Sequence, residues 1–200
     1  MSQYLTIAAP STGLYKEKNS KFLAFAYPVN SEAEIKEILN NLKKEYFDAR
    51  HYCYAYRLAA DGSVYRANDD GEPNHSAGDP ILGQLKSVNL TYVLVVVVRY
   101  FGGTKLGVSG LIQAYKTAAQ EALAAATIVQ KTEQSQLTLH FSYEQLSDVM
   151  NLVKEAALKI IDQDFAENCT LTVQVAKTEE SLLRARLQKL RKVEVRTEQP

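Results

Sequence analysis

The most constraining feature of this chain is an apolar run at residues 92–98, followed directly by a glycine-rich loop and an alanine-rich segment. A run of β-branched residues without polar alternation predicts a strand that is buried on both faces. Glycine tolerates positive φ, so Gly102, Gly103 and Gly107 predict a tight turn. Residues 111–126 contain no glycine or proline, which predicts a helix. This strand, loop and helix are expected to form the centre of an α+β fold.

The chain of 200 residues has room for two modest domains, each with its own core. Residues 130–134 are polar and lack apolar periodicity, so we predict one domain at 1–131 and another at 135–200. In the first domain, alternation predicts strands at 5–9, 22–29, 52–56 and 64–67, with a polar connection at 16–21. After the boundary the predicted order is strand, helix, strand, strand, helix, strand. That order is the ferredoxin-like βαββαβ arrangement.

Charge and cysteine content exclude several classes of protein. Formal net charge is zero, which argues against binding nucleic acid with the whole surface but permits a local basic patch. Cys53 and Cys169 are too few and too far apart for a disulfide framework or a structural zinc site. The start lacks the pattern of a secretory signal, and no apolar run reaches spanning length. We therefore expect a cytoplasmic protein without a membrane partner.

The glycine-rich loop is the first candidate site. Its spacing matches a phosphate-binding loop except that Val108 occupies the lysine position. A strand that leads through a glycine loop into a helix can still hold an anion through backbone N–H groups. The alternative is a tight turn that lets the helix pack closely, and the residues alone favour it. The phosphate-binding residues of the first interpretation are Arg99, Gly102, Gly103, Lys105, Gly107 and Ser109.

The second candidate is a polar turn in which Asp69, Asp70, Glu72 and His75 fall within seven residues. Convergent carboxylates could supply acid–base chemistry or bind a divalent cation. The spacing fits no EF-hand, however, and Asp and Gly are also turn formers, so the structural interpretation is favoured. We assign no catalytic residue, no metal ligand and no cofactor. With His51 and Ser76, these four residues are predicted to form the rim of a pocket.

A third candidate is the basic side of the last predicted helix. Its cations lie opposite the apolar stripe of Leu183, Leu187 and Leu190. Such a surface could contact an RNA backbone, although ordinary solvated surface is the favoured alternative. The residues of this candidate RNA-contact face are Arg184, Arg186, Lys189, Arg191 and Lys192.

Several long motifs resemble the IMPACT family. They are KNSKF at 18–22, HYCYA at 51–55, NDDGEP at 68–73, AGDPIL at 77–82, VVVVRYFGG at 95–103 and LG at 106–107. The resemblance implies an N-terminal domain similar to the second domain of ribosomal protein S5 and a ferredoxin-like C-terminal domain. Eukaryotic members dampen the amino-acid-starvation response by competing for the activator of a translation-initiation-factor kinase. Family members usually have Gly-Thr before Ala77 and glycine at position 109, so His75 and Ser109 are expected to narrow the pocket.

Together these observations predict a non-catalytic binding protein that acts around translation. Its expected partner is RNA, the ribosome or a ribosome-associated protein. Arg99, Lys105 and the glycine loop would hold phosphate, and residues 69–72 would shape the rim of the same hollow. The alternative is an enzyme that acts on a small phosphorylated or nucleotide ligand at the loop formed by residues 102–107.

Overall fold

The computed structural model describes residues 3–165, 168–190 and 193–198. The chain divides into two compact units, and the first comprises residues 4–131. The second unit consists mainly of the part of the chain from Thr132 onward. Both units combine helices with antiparallel sheet, so the predicted α+β class is confirmed.

A five-stranded antiparallel sheet with the order β2-β3-β6-β4-β5 forms the frame of the first unit. β1 and β7 form a separate two-stranded sheet. As far as residue 132 the strands are β1 (Gln3–Ile7), β2 (Ser11–Glu17), β3 (Ser20–Pro28), β4 (His51–Leu58), β5 (Val64–Asn68), β6 (Val93–Tyr100) and β7 (Ile128–Thr132). The helices are α1 (Glu32–Glu45), α2 (Gly78–Ser87) and α3 (Gly107–Ala124).

The central strand β6 is covered on both faces, as its sequence predicts. Every residue from 93 to 98 is fully buried. Val95 and Val97 share a core with residues of α2 and α3, whereas Val96 and Val98 pack in the core that includes residues of α1. Alanines on α3 allow this helix to approach the sheet closely. A Cβ added at Gly13 of β2 would lie 2.4 Å from the backbone nitrogen of Ala122.

Strand β2 differs from the sequence prediction, which placed a polar connection at 16–21. β2 and β3 form a hairpin in which Glu17 pairs with Ser20. The two-residue turn is made by Lys18 and Asn19, with φ of 45° and 65°. Two consecutive positive φ values are the geometry of a tight hairpin turn, which usually contains glycine. The missing glycine explains why the turn was not recognised from the sequence.

The second unit contains a four-stranded antiparallel sheet with the order β11-β8-β10-β9. Its core is formed by Leu137, Leu139, Leu171, Val149 and Leu187, together with further apolar residues of the sheet and both helices. The elements are β8 (Gln134–Ser142), α4 (Leu146–Glu155), β9 (Lys159–Phe165), β10 (Asn168–Ala176), α5 (Glu180–Gln188) and β11 (Glu194–Glu198). The order of elements and strands confirms the predicted ferredoxin-like arrangement. Among the helices described, none is both long and apolar enough to span a membrane.

Candidate functional site

The first unit contains an open hollow of about 690 Å³ where four segments meet. These segments are the start of β4, the turn after β5, the end of β6 with its loop, and the first turn of α3. The glycine loop and the acidic turn therefore meet in one hollow. The lining residues are Asp48, Arg50, His51, Glu72, Pro73, Arg99, Tyr100, Phe101, Lys105, Leu106, Gly107, Val108 and Leu111. Five residues predicted from the sequence lie here, namely Arg99, Lys105, Gly107, His51 and Glu72.

Arg99 lies at the base of the hollow because of its position on β6. It pairs with Phe22 of β3 on one side and with His51 of β4 on the other. Its guanidinium carbon lies 5.5 Å from the centre of the Phe22 ring and 5.7 Å from the centre of the Phe101 ring. Only 7% of the residue is exposed. Cation–π contacts of this kind stabilise a desolvated guanidinium.

The charge of Arg99 is balanced by Glu72. Arg99 Nη1 donates to Glu72 Oε1 at 2.5 Å, and the Tyr115 hydroxyl donates to the same oxygen at 2.7 Å. Burial raises the pKa of the Tyr115 phenol, so this group is neutral and remains a donor. The Glu72 carboxylate therefore ties the acidic turn to both β6 and α3. Removal of either charge would leave the other one buried without a counter-ion.

A further donor at the base of the hollow has no partner. Arg99 Nε is buried and makes no hydrogen bond within the part of the chain that the structure describes. Buried polar atoms in native proteins are nearly always satisfied. Arg99 Nε is therefore a desolvated donor at the base of the hollow.

The rim of the hollow adds exposed positive charge. Lys105 was predicted from the sequence, whereas Arg50 was missed. His51 pairs with Arg99 in the sheet, and Arg50 immediately precedes His51. Knowledge of this strand register would have been needed to place Arg50 beside the hollow. The backbone of Gly107 and Val108 begins α3, and no side chain caps this helix start. Free N–H groups at a helix N-terminus carry partial positive charge and bind anions.

Three residues of the predicted phosphate-binding loop do not line the hollow. Gly102 instead packs against the β2–β3 turn, where an added Cβ would lie 2.1 Å from the Asn19 carbonyl carbon. Its N–H donates to Ser20 Oγ at 3.0 Å. Gly103 adopts a φ of +89°, and Ser109 is exposed in the first turn of α3. Gly102 and Gly103 thus serve the turn geometry, which was the structural alternative.

Asp69 holds the backbone around the start of α2. Its Oδ1 accepts from the N–H groups of Ala77 and Gly78 at 3.0 and 2.8 Å, and its Oδ2 accepts from the N–H of His75 at 2.9 Å. Asp69 therefore caps α2 from a turn that precedes the helix by several residues. Asp70 is also engaged, because its carboxylate accepts from the Tyr52 N–H at 2.7 Å.

The remaining predicted rim residues point to structural roles. His75 is exposed and contacts Asp79, a hydrogen bond that raises the pKa of His75. Ser76 is buried and donates to the carbonyl oxygen of Pro73 at 2.6 Å. Neither residue lines the hollow, and neither does Ser109. The described lining of the hollow therefore does not include the two residues, His75 and Ser109, that were expected to narrow it.

His51 lies at the edge of the hollow in a defined orientation. Its Nδ1 is 2.9 Å from the carbonyl oxygen of Asp70, which can only accept a hydrogen bond. Nδ1 therefore carries the proton, and Nε2 is an acceptor when the ring is neutral. Among the described residues, no group of three or more His, Cys, Asp and Glu side chains is arranged to hold a metal ion.

Ion pairs reduce the positive charge of the candidate RNA-contact face on α5. Arg184 Nε lies 2.8 Å from Glu180, and Arg186 Nη2 lies 2.6 Å from Glu155. Lys189 is exposed at the end of the helix. Arg191 and Lys192 fall outside the described residues. The described part of this face therefore resembles ordinary solvated surface, which is the interpretation that the sequence favoured.

Comparisons with known proteins agree with this two-unit α+β organisation. The Impact N-terminal domain matches residues 18–123, and a domain of unknown function, DUF1949, matches residues 139–190. The chain therefore belongs to the IMPACT family. It is 35% identical over 167 residues to the IMPACT family member YigZ of Escherichia coli K12, with 82% of each chain covered.

Two solved structures were also similar. A crystal structure of a hypothetical protein matches with a TM-score of 0.76 and 30% identity, covering 100% of this chain and 98% of that chain. The two-domain translational regulator Yih1 is 30% identical, with coverage of 61% of this chain and 47% of that chain. Its TM-score is 0.37, so the superposition carries no argument about this fold.

Proposed function

We propose that this protein regulates translation in the cytoplasm by binding RNA, including RNA of the ribosome, through phosphate groups held in the hollow. Family membership supports the translation setting, since the resemblance implies that eukaryotic IMPACT members dampen the starvation response. The role is one of binding and regulation without a chemical step.

The observation that carries this proposal is the distribution of charge around the hollow. Arg50, Lys105 and the uncapped start of α3 present positive charge on one opening, while the whole chain has a formal net charge of zero. Glu72 is already neutralised by Arg99 at the base, so Arg50 and Lys105 face one remaining carboxylate, that of Asp48. A local positive opening on a neutral protein favours a phosphate-bearing partner over non-specific attraction to polyanions.

Co-sedimentation with ribosomes and with purified ribosomal RNA across a KCl series tests the proposal. Binding should weaken as salt rises, because phosphate contacts release counter-ions. The double variant Arg50→Gln/Lys105→Gln should reduce the slope of log K against log salt by about 1.4, because each lost phosphate contact on a single strand changes that slope by about 0.7. Lys116→Gln, which removes an exposed lysine in the middle of α3, is the matched control.

Three outcomes would contradict the proposal. They are no binding at low salt, binding that does not respond to salt, and equal binding by wild type and the Arg50/Lys105 double variant. Capture of ribosomes that survives nuclease treatment would instead assign the contact to a ribosome-associated protein.

The second candidate function is an enzyme that acts on a small phosphorylated or nucleotide ligand. Its support is the volume of about 690 Å³, which is in the range of small-molecule sites, together with His51. The carbonyl of Asp70 orients the His51 ring, and an oriented imidazole is a common general base. Asp69 and Asp70 would not contribute, since both carboxylates bind backbone N–H groups.

A thermal-shift screen of nucleotides and sugar phosphates, with and without magnesium, distinguishes this candidate from the first. A ligand that binds only the folded protein raises the melting temperature. A nucleotide-dependent shift that His51→Ala abolishes would support the enzyme. An unchanged melting temperature across the screen would remove its support.

A further inference from the structure

A second hollow, of about 490 Å³, adjoins the first. Its lining includes Tyr100 and Phe101, which also line the first hollow. The two hollows are therefore neighbours that share an aromatic pair. The other lining residues of the second hollow are Leu14, Lys16, Asn19, Lys21 and Leu23.

The sheet register places two lysines in a row with Tyr100. Lys16 of β2 pairs with Lys21 of β3, and Lys21 pairs with Tyr100 of β6. Adjacent strands lie about 4.8 Å apart, so this row spans about 10 Å. Both lysines are exposed and form no ion pair within the described residues. Like charges directly opposite each other are destabilising, and a bound anion would relieve that repulsion.

Phe101 lines both hollows and thus belongs to the surroundings of both groups of cations. Its side chain is exposed, with 56% of the residue accessible to solvent. The Arg99 guanidinium carbon lies 5.7 Å from the ring centre. Aromatic rings beside positively charged grooves are the common platform for unpaired bases, because every base has a face that can stack.

Positive charge exceeds negative charge across the two hollows. Five cationic and two acidic side chains line them. Glu72 is paired with Arg99, and Asp48 accepts a hydrogen bond from the Tyr100 hydroxyl at 2.7 Å. The four cations other than Arg99 therefore outnumber the remaining carboxylate, that of Asp48, and the lining keeps a net positive charge for a ligand.

We propose that the two hollows form one continuous path for single-stranded RNA. A base stacks on Phe101, while phosphates on one side contact Arg50 and Lys105 and phosphates on the other side contact Lys16 and Lys21. An unpaired strand is required because bases within a duplex cannot stack on an aromatic side chain. This inference rests on the proposed function, since the first hollow is the same site.

Fluorescence anisotropy with a labelled 12-nucleotide uridine oligomer tests the path. Phe101→Ala should weaken binding about 5- to 150-fold, the range that corresponds to loss of one stacked base, and leave the salt slope unchanged. Replacing Lys16 and Lys21 with glutamine should lower the slope by about 1.4. Tyr65→Ala is the matched aromatic control, because Tyr65 lies on the opposite edge strand and 53% of it is exposed. Lys116→Gln is again the charge control.

The variants separate this inference from the proposed function. Weaker binding for the Arg50/Lys105 variant, with no change for Phe101→Ala or the Lys16/Lys21 variant, would overturn the path and leave the first hollow as the site. If the wild-type protein binds neither ribosomes nor the oligomer, both the path and the proposed function are overturned. Equal affinity for the oligomer and for a 12-base-pair RNA duplex would also overturn the path.

Discussion

Replacement of Glu72 by glutamine tests how the base of the hollow is held together. Glu72→Gln keeps the shape of the side chain and an oxygen that can accept from Arg99 and Tyr115. It removes the negative charge that pairs with Arg99, and the two side chains of the pair are only 8% and 4% exposed. Leaving one partner of a buried ion pair uncompensated costs about 3–5 kcal/mol. Because the hydrogen bonds are retained, we expect Glu72→Gln to lower the free energy of unfolding by about 3 kcal/mol, the low end of this range.

The corresponding shift in melting temperature follows from the size of the first unit. For a unit of the size of residues 4–131, a loss of 1 kcal/mol in the free energy of unfolding lowers the melting temperature by about 4 °C, because the entropy of unfolding scales with chain length. Glu72→Gln should therefore lower that transition by about 12 °C in a thermal scan followed by circular dichroism. The double variant Glu72→Gln/Arg99→Met should recover at least half of the loss, because no unpaired charge then remains buried. A loss below about 1 kcal/mol for Glu72→Gln would refute the buried pair.

The same variant reports whether Arg99 is open to the hollow. Without the Glu72 carboxylate, an anion in the hollow becomes the nearest counter-ion for Arg99. Sulfate at 50 mM should therefore raise the melting temperature of Glu72→Gln more than that of the wild type, with NaCl at equal ionic strength as the control. An equal rise in both proteins would show that the guanidinium is closed off from the hollow.

Three further substitutions and one chemical probe test the fold around the site. Gly102→Ala should lower the free energy of unfolding by about 3 kcal/mol or more in urea denaturation, because the added Cβ would overlap the backbone of the β2–β3 turn. Gly83→Ala, on the open surface of α2, is the control and should be neutral or stabilising. Asp69→Ala should cost about 2–4 kcal/mol in the same assay through the lost cap of α2. Cys53 should resist iodoacetamide at pH 8 until the protein is denatured, because burial raises the pKa of its thiol, as peptide mass mapping would show.

The pH dependence of stability can also be predicted from Tyr56. Burial, with a hydrogen bond to Glu32, raises the pKa of Tyr56 to about 12. The folded state therefore holds this proton more tightly than the unfolded state, so its contribution to stability is complete below pH 10 and is lost as the pH rises through 12. Tyr56→Phe should reduce the loss of stability between pH 10 and 12 in urea denaturation. An unchanged pH profile would contradict this assignment.

The parts of the fold with strong local patterns were predictable from sequence. The continuous β-branched run of β6 and the alanine-rich composition of α3, free of glycine and proline over residues 111–126, leave few alternatives, and both elements are observed. The hairpin turn at Lys18 and Asn19 was missed because its positive φ values occur without glycine. Local sequence cannot indicate such a turn when the pairing of β2 with β3 imposes it.

The candidate site was predictable only in part, because its decisive contacts are non-local. Glu72 and Arg99 are 27 positions apart, and neither residue alone indicates that they neutralise each other. Asp69 was assigned to a pocket rim, although it caps a helix that begins nine residues later. Arg50 carried no motif, and only the register of β4 against β6 places it beside the hollow.

We propose that phosphate binds in the hollow between Lys105, Arg50 and the start of α3. An NMR titration of the ¹⁵N-labelled protein with inorganic phosphate tests it directly. The amide resonances of Gly107 and Val108 should shift and saturate in the wild type, and the shifts should be much smaller in Lys105→Gln. Unchanged Gly107 and Val108 resonances, or shifts that Lys105→Gln leaves intact, would contradict the claim.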